Sequence, residues 1–416
     1  MMKRSRSTRF WLWISISFCL GMISVVGAAI TAFLVSSSFN ANQQFVVRKV
    51  LPRDELLERR RMEMRAFLDY KKQSAEMLVE RMYRRYLQNP DVTVNFLVVS
   101  GGGQKGAFGS GFLVGWSGVE KGLGAMPLFD GVTGVSVGSI IAPFAYIGKQ
   151  ESLKKIDHFF RNPDQNLLML RNPFRLLPHN SSLLKVSGLE RSFRDVFSLD
   201  LAENILKSSG TGRTLLVQST NLDLASPKIF NFILAAKESL KSNSNEAMVN
   251  ILMASTAIPG LFPPREMRDG LYVDGGVEGN LYYGGHPSKP EETFGGIWKR
   301  KFPNIPIPLT RYWVIVNSNL PELPMNIRPG WASVAARSLD VKYRSAEVVA
   351  LRELYAIADL TRFRGLGDVE VRWVAINEPI EKPGFPNLFE EKEMRRLSDL
   401  GRRRGGDLNS WNLVAP

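Results

Sequence analysis

Two glycine-rich turns, each between a strand-like and a helix-like segment, constrain the fold of this chain more than any other feature. The first turn follows residues 92–100 (VTVNFLVVS), which are β-branched and apolar at the length of a buried strand. Such a turn presents free backbone N–H groups at the start of a helix, where an anion binds. The anion is a phosphate or a developing oxyanion, and a tight turn without a ligand is an equal alternative at this point. The turn consists of Gly101, Gly102, Gly103, Gln104, Lys105 and Gly106.

The same glycines allow a second interpretation. Gly101, Gly103 and Gly106 satisfy the GxGxxG spacing of dinucleotide-binding folds, and Glu120 follows at about the right distance. This spacing alone has little specificity. A nucleotide-binding protein is therefore one alternative function, and it would leave the motifs described next without a role.

The second turn, GVSVG at residues 134–138, has the GxSxG pattern of a nucleophile elbow. It stands between a strand-like segment, residues 127–133, and an apolar helix-like segment, residues 139–148. A serine on a strained turn needs neighbours without side chains, so that the strand and the helix can approach closely. We therefore predict that Ser136 is a nucleophile. The elbow around it is formed by Gly134, Val137 and Gly138.

A serine hydroxyl needs a base that accepts its proton. Asp274 ends a short strand-like segment and precedes Gly275 and Gly276, which let other backbone approach it. An Asp-Gly hairpin turn is the alternative explanation of this site. Together with the two turns and the segment ASTAIP at residues 254–259, the pattern favours Asp274 as the base.

These motifs together resemble those of the patatin-like phospholipase family, in its bacterial, membrane-anchored form. The similarity comprises the loop 101–106, the elbow 134–138, the segment 254–259 and residues 274–276, and it spans about residues 95–280. Two residues depart from the family pattern. Lys105 stands where the family usually has Arg, and Val135 stands where Thr or Ser is commoner. Neither change removes a reacting group.

The resemblance implies a serine lipid acyl hydrolase of the phospholipase A, lysophospholipase or esterase type. Ser136 would be the nucleophile and Asp274 the base, in a dyad that needs no histidine. The oxyanion hole would lie at Gly101, Gly102 and Gly103, with the amides of Gly102 and Gly103 receiving the oxyanion. The implied fold is α/β, a three-layer α/β/α sandwich with a mainly parallel central sheet.

The histidines give an independent check, because a hydrolase triad runs serine, acid, histidine along the chain. Of His158, His179 and His286, only His286 follows Asp274, in the loop YYGGHPSKP. The lack of a well-placed imidazole favours the dyad. An acyltransferase with the same dyad and an inactive, membrane-tethered lipid-binding protein are the remaining alternatives.

The composition excludes several other kinds of site. The single cysteine, Cys19, rules out a disulfide framework and any site of several thiolates, and three histidines leave little for a metal site. We therefore predict neither a metal nor a cofactor. The net charge of +14 attracts phosphate-rich partners, and most of its excess lies in residues 1–9 and 48–88. This placement favours membrane lipids and an anionic membrane surface over nucleic acid as partners, and it leaves the oligomeric state open.

The N-terminal region predicts the localisation. Residues 10–35 contain no charge and are long enough to cross a bilayer, whereas residues 1–9 are basic. By the positive-inside rule, this predicts a single-pass signal anchor, a transmembrane helix with the catalytic domain outside the cytoplasm. A cleaved signal peptide and a secreted protein are the alternative.

The chain is predicted to have five parts. A basic cytoplasmic N-terminus (1–9) and the anchor (10–35) precede a linker with a long amphipathic helix (36–90). The helix is predicted because apolar residues recur at helical spacing before Pro90. The catalytic core (91–320) and a C-terminal extension packed on it (321–416) complete the chain.

Overall fold

The structure, a computed structural model, describes most of the chain after residue 50. The chain divides into two units, Met1–Val50 and Leu51–Pro416, and the described residues belong to the second. The described residues are 51–416 except 121, 123, 165, 171–181, 286–288, 321–323 and 381–387.

The strands form one large mixed sheet and one short ribbon. Their bounds are β1 Thr93–Val99, β2 Gly131–Val135, β3 Met169–Leu170, β4 Leu184–Lys185, β5 Thr214–Asn221, β6 Ser226–Asn231, β7 Arg265–Met267, β8 Gly270–Asp274, β9 Leu309–Val316 and β10 Val369–Ala375. The large sheet has the order β10-β9-β1-β2-β5-β8-β7, and β6 also pairs with β5. β10, β9, β1, β2 and β5 are parallel, whereas β6, β7 and β8 join antiparallel. The predicted α/β class and mostly parallel sheet are confirmed.

The helices cover both faces of the large sheet. Their bounds are α1 Arg53–Tyr86, α2 Gly106–Ser117, α3 Val137–Ile147, α4 Gln150–Arg161, α5 Ser187–Val196, α6 Leu199–Ser208, α7 Phe232–Ser242, α8 Glu246–Ser255, α9 Phe294–Lys301, α10 Trp331–Phe363 and α11 Glu391–Gly405. The long helix predicted before Pro90 is present as α1.

Strand β1 illustrates how the layers pack, because successive side chains of a strand point to opposite faces. Leu97 and Val99 join the largest core cluster, to which α2 to α8 and α11 contribute. Val98 packs on the other face with α10, and Val94 packs on that face with α1 and α9. The sheet is therefore buried on both sides, as expected for mainly parallel strands.

The C-terminal segment completes this architecture. β10 extends the sheet beside β9, and α11 packs against α2. At this interface, a Cβ added to Gly111 or Gly401 would overlap backbone of the facing helix, so the two helices approach closely. Residues after 320 therefore contribute a strand and two helices to the same layers as the predicted core.

The predicted localisation is wrong on the evidence of the structure. No helix among the described residues is long and apolar enough to cross a membrane. The two longest helices, α1 and α10, are rich in charged residues, which oppose burial in a bilayer. The predicted anchor, residues 10–35, lies outside the described residues. The structure therefore gives no support to single-pass anchoring.

Candidate active site

The elbow predicted around Ser136 is a sharp turn between β2 and α3. Ser136 has φ 52° and ψ −124°, a conformation that costs energy in a residue with a side chain and that is typical of functional turns. Gly138 permits the turn because a Cβ at this position would overlap the carbonyl oxygen of Val99. A Cβ on Gly134 would overlap the Gly138 carbonyl in the same way. The Ser136 side chain is thereby held at the carboxyl edge of the sheet.

Asp274 lies beside this serine at the end of β8. The Ser136 hydroxyl donates a hydrogen bond to Asp274 Oδ2 at 2.5 Å. The other carboxylate oxygen, Oδ1, accepts the backbone N–H of Gly276 at 2.7 Å. Both side chains are nearly buried, with 6% of Ser136 and 3% of Asp274 exposed. Residues 138 positions apart are thus joined, because β5 pairs with both β2 and β8.

Burial changes the acidity of the carboxyl group. Desolvation raises the pKa of Asp274 to about 6. The hydrogen bonds from Ser136 and Gly276 lower the pKa, but their effect is smaller than that of burial. A carboxylate with this pKa is still mostly ionised at pH 7 and is a stronger base than an exposed one. The pair therefore has the geometry and the basicity that activation of a serine requires.

The segment ASTAIP, residues 254–259, supports both members of the pair. Ser255 Oγ accepts the Ser136 backbone N–H at 3.0 Å and donates to the Gln218 carbonyl at 2.6 Å. The carbonyl of Ala257 accepts the Asp274 backbone N–H at 2.9 Å. These contacts explain why the segment stands in register with the two motifs, a connection that the sequence alone did not reveal.

The glycine loop after β1 lies over the serine. Gly101 donates its amide to the Asn280 carbonyl at 3.2 Å, so this amide is already engaged. The amides of Gly102 and Gly103 have no acceptor among the described residues. Gly102 has φ +153°, and a Cβ there would overlap the carbonyl of Asn317, so glycine is needed at this position. Of the three predicted oxyanion-hole glycines, Gly102 and Gly103 have amides available for a ligand.

The remaining predicted residues surround this centre. A Cβ on Gly106 would overlap the Val137 side chain, so the glycine loop packs directly on the elbow. Lys105 Nζ lies 4.0 Å from Asp340 Oδ1 of α10. Gly275 and Gly276 follow Asp274 in a short 3-10 turn.

Two cavities meet at Ser136. The first, which we call the apolar slot, has a volume of about 40 Å³ and lies among helices of the largest core cluster. It is lined by Val137, Ile140, Phe160, Leu189, Phe193 and Phe262. The second, which we call the wide cavity, has a volume of about 570 Å³ and is lined by polar and charged residues as well as apolar ones. It includes Lys105, Asn280, Ser318, Arg337, Tyr343 and Glu347.

Several of these residues were not predicted from the sequence. Asn317 donates its backbone N–H to Ser100 Oγ at 2.8 Å and its side-chain amide to the Ser100 carbonyl at 2.9 Å, which fixes the start of the glycine loop. The polar run Asn317-Ser318-Asn319 directly after the buried strand β9 was a usable signal, because parallel strands end at one edge of a sheet. Tyr343 and Glu347 lie in the charged helix α10, where no local motif marks them.

No histidine of the described residues lies at the dyad. His158 is exposed on α4, and His179 and His286 lie outside the described residues. Within the described part of the chain, no group of three or more His, Cys, Asp or Glu side chains is arranged to hold a metal ion.

Comparison with known proteins identifies the class. Residues 97–283 match the family model described as patatin-like phospholipase. The match covers 187 of the 416 residues and indicates a patatin-like phospholipase domain at these positions. The motifs that predicted this family all lie inside the matched range.

The solved structure of VipD from Legionella pneumophila is similar over 77% of this chain and 67% of that chain, with 12% sequence identity and a TM-score of 0.33. Comparison with curated proteins gave no match.

Proposed function

We propose that the protein is a serine lipid acyl hydrolase in which Ser136 is the nucleophile and Asp274 the general base. The observation that carries the proposal is the 2.5 Å hydrogen bond between these side chains, at the point where the two cavities meet. The match to the patatin-like phospholipase family supports the reaction class.

In the proposed mechanism, Ser136 Oγ attacks the carbonyl carbon of an ester while Asp274 Oδ2 accepts the hydroxyl proton. The amides of Gly102 and Gly103 stabilise the oxyanion, and one such donor contributes about 3 kcal/mol to the transition state. When the intermediate collapses, Asp274 returns the proton to the departing alcohol. Water then attacks the acyl-enzyme while Asp274 accepts its proton, and Asp274 returns this proton to Ser136 Oγ as the carboxylic acid is released.

The two cavities suggest how the ester is oriented. The apolar slot offers almost no polar surface, so it suits the acyl chain, whose burial contributes about 0.8 kcal/mol per methylene. The wide cavity has room for the alcohol portion of a lipid, and Lys105 and Arg337 give it cationic side chains. In this orientation the scissile carbonyl lies between Ser136 and the glycine loop.

Binding of the protein to an anionic membrane surface remains a prediction. Helix α1 supports it, because exposed Leu57, Met62 and Met64 alternate with basic residues such as Arg60 and Arg61. If α1 binds such a surface, the protein should sediment with phosphatidylglycerol vesicles. The bound fraction should fall as salt is added, and it should be lower in an Arg60→Glu/Arg61→Glu variant. Equal binding to neutral phosphatidylcholine vesicles would contradict an electrostatic partner.

The dyad is tested with two variants that keep the side-chain size. Ser136→Ala removes the nucleophile and Asp274→Asn removes the base, and each should lower kcat for a nitrophenyl ester by at least about 10³-fold. A fluorophosphonate probe should label the wild type at Ser136 and leave Ser136→Ala unlabelled. Ser239→Ala, which changes a buried serine on α7, is the matched control and should keep full activity. Substantial activity in either dyad variant would overturn the proposal.

A further inference from the structure

A second buried carboxyl group, Glu347, lies beside the wide cavity. It belongs to α10, beyond the residues 97–283 that match the family model. Glu347 is completely buried. The proposed mechanism gives it no role, although an ionisable side chain is costly to bury without a reason.

The partners of Glu347 are mostly neutral groups of the active-site wall. Asn280 Nδ2 donates to Glu347 Oε1 at 2.6 Å, and the Ser318 hydroxyl donates to Oε2. The Ser100 hydroxyl and the charge of Lys105 also favour its ionised form, whereas burial raises its pKa to about 7. Among the described residues, no cation forms an ion pair with Glu347 within 4.0 Å. The neutral partners only partly offset the cost of burying this carboxylate, so stability alone does not explain it.

The partners, in contrast, hold the catalytic loop. Asn280 accepts the Gly101 amide with its backbone carbonyl, and its side-chain Oδ1 lies against Gly101, where a Cβ would overlap it. A Cβ on Gly276 would be 3.1 Å from the same Oδ1. The Asn280 side chain thus lies between the glycine loop and the turn that fixes Asp274. Its orientation is set by the hydrogen bond to Glu347.

Ser318, the second partner of Glu347, lies next to a residue that binds the start of the glycine loop. Ser318 directly follows Asn317, which binds both the carbonyl and the hydroxyl of Ser100 at the start of the loop. Glu347 therefore connects Asn280 with the segment 317–318. The glycine loop, residues 100–103, is held between these two parts of the chain. One carboxylate with two oxygens suits this bridge, because each oxygen accepts from a different segment.

We propose that Glu347 is a positioning residue: from α10 it fixes Asn280 and Ser318, and through them the glycine loop that receives the oxyanion. The inference rests on the proposed function and extends it. It means that α10, outside the matched family domain, is part of the machinery of the site.

Two substitutions of similar size test the role. Glu347→Met removes both acceptors, leaves the amide of Asn280 without a partner and fills the space. We expect kcat for a nitrophenyl ester to fall about 10- to 100-fold, with KM changed by less than about 3-fold. The rate of fluorophosphonate labelling at Ser136 should fall in parallel, since the same loop stabilises that reaction. Glu347→Gln keeps an acceptor for Asn280 and should restore kcat to within about 5-fold of the wild type.

Thermal unfolding separates positioning from a structural role. Glu347→Met removes a buried charge but leaves the donors of Asn280 and Ser318 without an acceptor, and these two effects on stability oppose each other. Tm of Glu347→Met at pH 8 should therefore stay within about 4 °C of the wild type, while kcat falls. Glu238→Gln, which changes an exposed glutamate on α7, is the control and should change neither quantity. The inference would be overturned if Glu347→Met kept the kcat of the wild type. It would also be overturned if Glu347→Met and Glu347→Gln lost the same amount of kcat and that loss followed a loss of Tm. Activity that persists in Ser136→Ala would instead overturn the proposed function, so the two failures are distinguishable.

Discussion

Ser136 and Asp274 share a 2.5 Å hydrogen bond although they stand 138 residues apart in the chain, and the second oxygen of Asp274 is fixed by the Gly276 amide. The carboxylate can therefore accept a proton from the serine without rotating. Its fixed position and its burial lead to the following predictions.

The first prediction concerns the pH dependence of catalysis. The base must be ionised, and burial raises the pKa of Asp274 to about 6. kcat/KM should therefore rise as pH increases through about 6 and level off above it, and activity should be lost as pH falls below about 5. The measurement is kcat/KM for an ester without ionisable groups between pH 4.5 and 8.5. A midpoint near 4, the value of an exposed aspartate, would contradict a buried base.

The second prediction concerns Ser255, which links Ser136 to Gln218. Ser255→Ala leaves the buried N–H of Ser136 without its acceptor, and such a loss costs about 1–3 kcal/mol. If a third to a half of this cost appears in the transition state, kcat should fall about 2- to 10-fold. Ser239→Ala removes a buried hydroxyl that has no partner among the described residues, and it is the matched control. Equal activity in the two variants would show that the hydrogen bond to Ser136 has no catalytic effect.

The elbow and the acid were predictable because each carries its own local chemistry. Ser136 needs glycine neighbours at a strained turn, and Asp274 stands at a strand end before two glycines. The mostly parallel sheet was likewise expected, through the family that these motifs resemble. Each of these features is visible within a few residues of sequence.

The supporting residues were not predictable in the same way. Glu347 contacts Asn280 and Ser318 only because β9 pairs with β1 and α10 then returns across the same edge of the sheet. In sequence Asn280 stands in an ordinary loop and Glu347 in a charged helix, and only the polar run after β9 gives a usable signal. Their role depends on strand order, which no local pattern in this chain specifies.

The third prediction concerns stability. The folded-state pKa of Asp274 is raised above its ordinary value of 3.8 to about 6, so the folded protein binds this proton more tightly than the unfolded chain does. The associated stability is fully present below about pH 4 and is lost as pH rises through about 6. The loss amounts to about 3 kcal/mol, since one pKa unit corresponds to about 1.4 kcal/mol.

Asp274→Asn cannot ionise and should avoid this loss. Relative to the wild type, its free energy of unfolding should increase between pH 4 and pH 7, while its activity is abolished. Urea unfolding at pH 4.5 and pH 8 measures the difference, and Glu238→Gln, which changes an exposed carboxyl group on α7, should show no such trend. If the difference in free energy of unfolding between Asp274→Asn and the wild type were the same at both pH values, burial would not disfavour the ionised form of Asp274.

The fourth prediction concerns the length of the acyl chain. Ile140 lines the apolar slot one turn after Ser136 on α3, and it is 5% exposed. Ile140→Phe fills the slot, so kcat/KM for an octanoate ester should fall at least about 10-fold relative to an acetate ester, given about 0.8 kcal/mol per buried methylene. Ile140→Ala widens the slot and should shift the preference towards longer chains, at a cost of about 2–4 kcal/mol in stability. Met325→Ala, which changes the wall of the wide cavity, should leave the octanoate-to-acetate ratio unchanged. If Met325→Ala moves the ratio and the Ile140 variants do not, the acyl chain lies in the wide cavity instead.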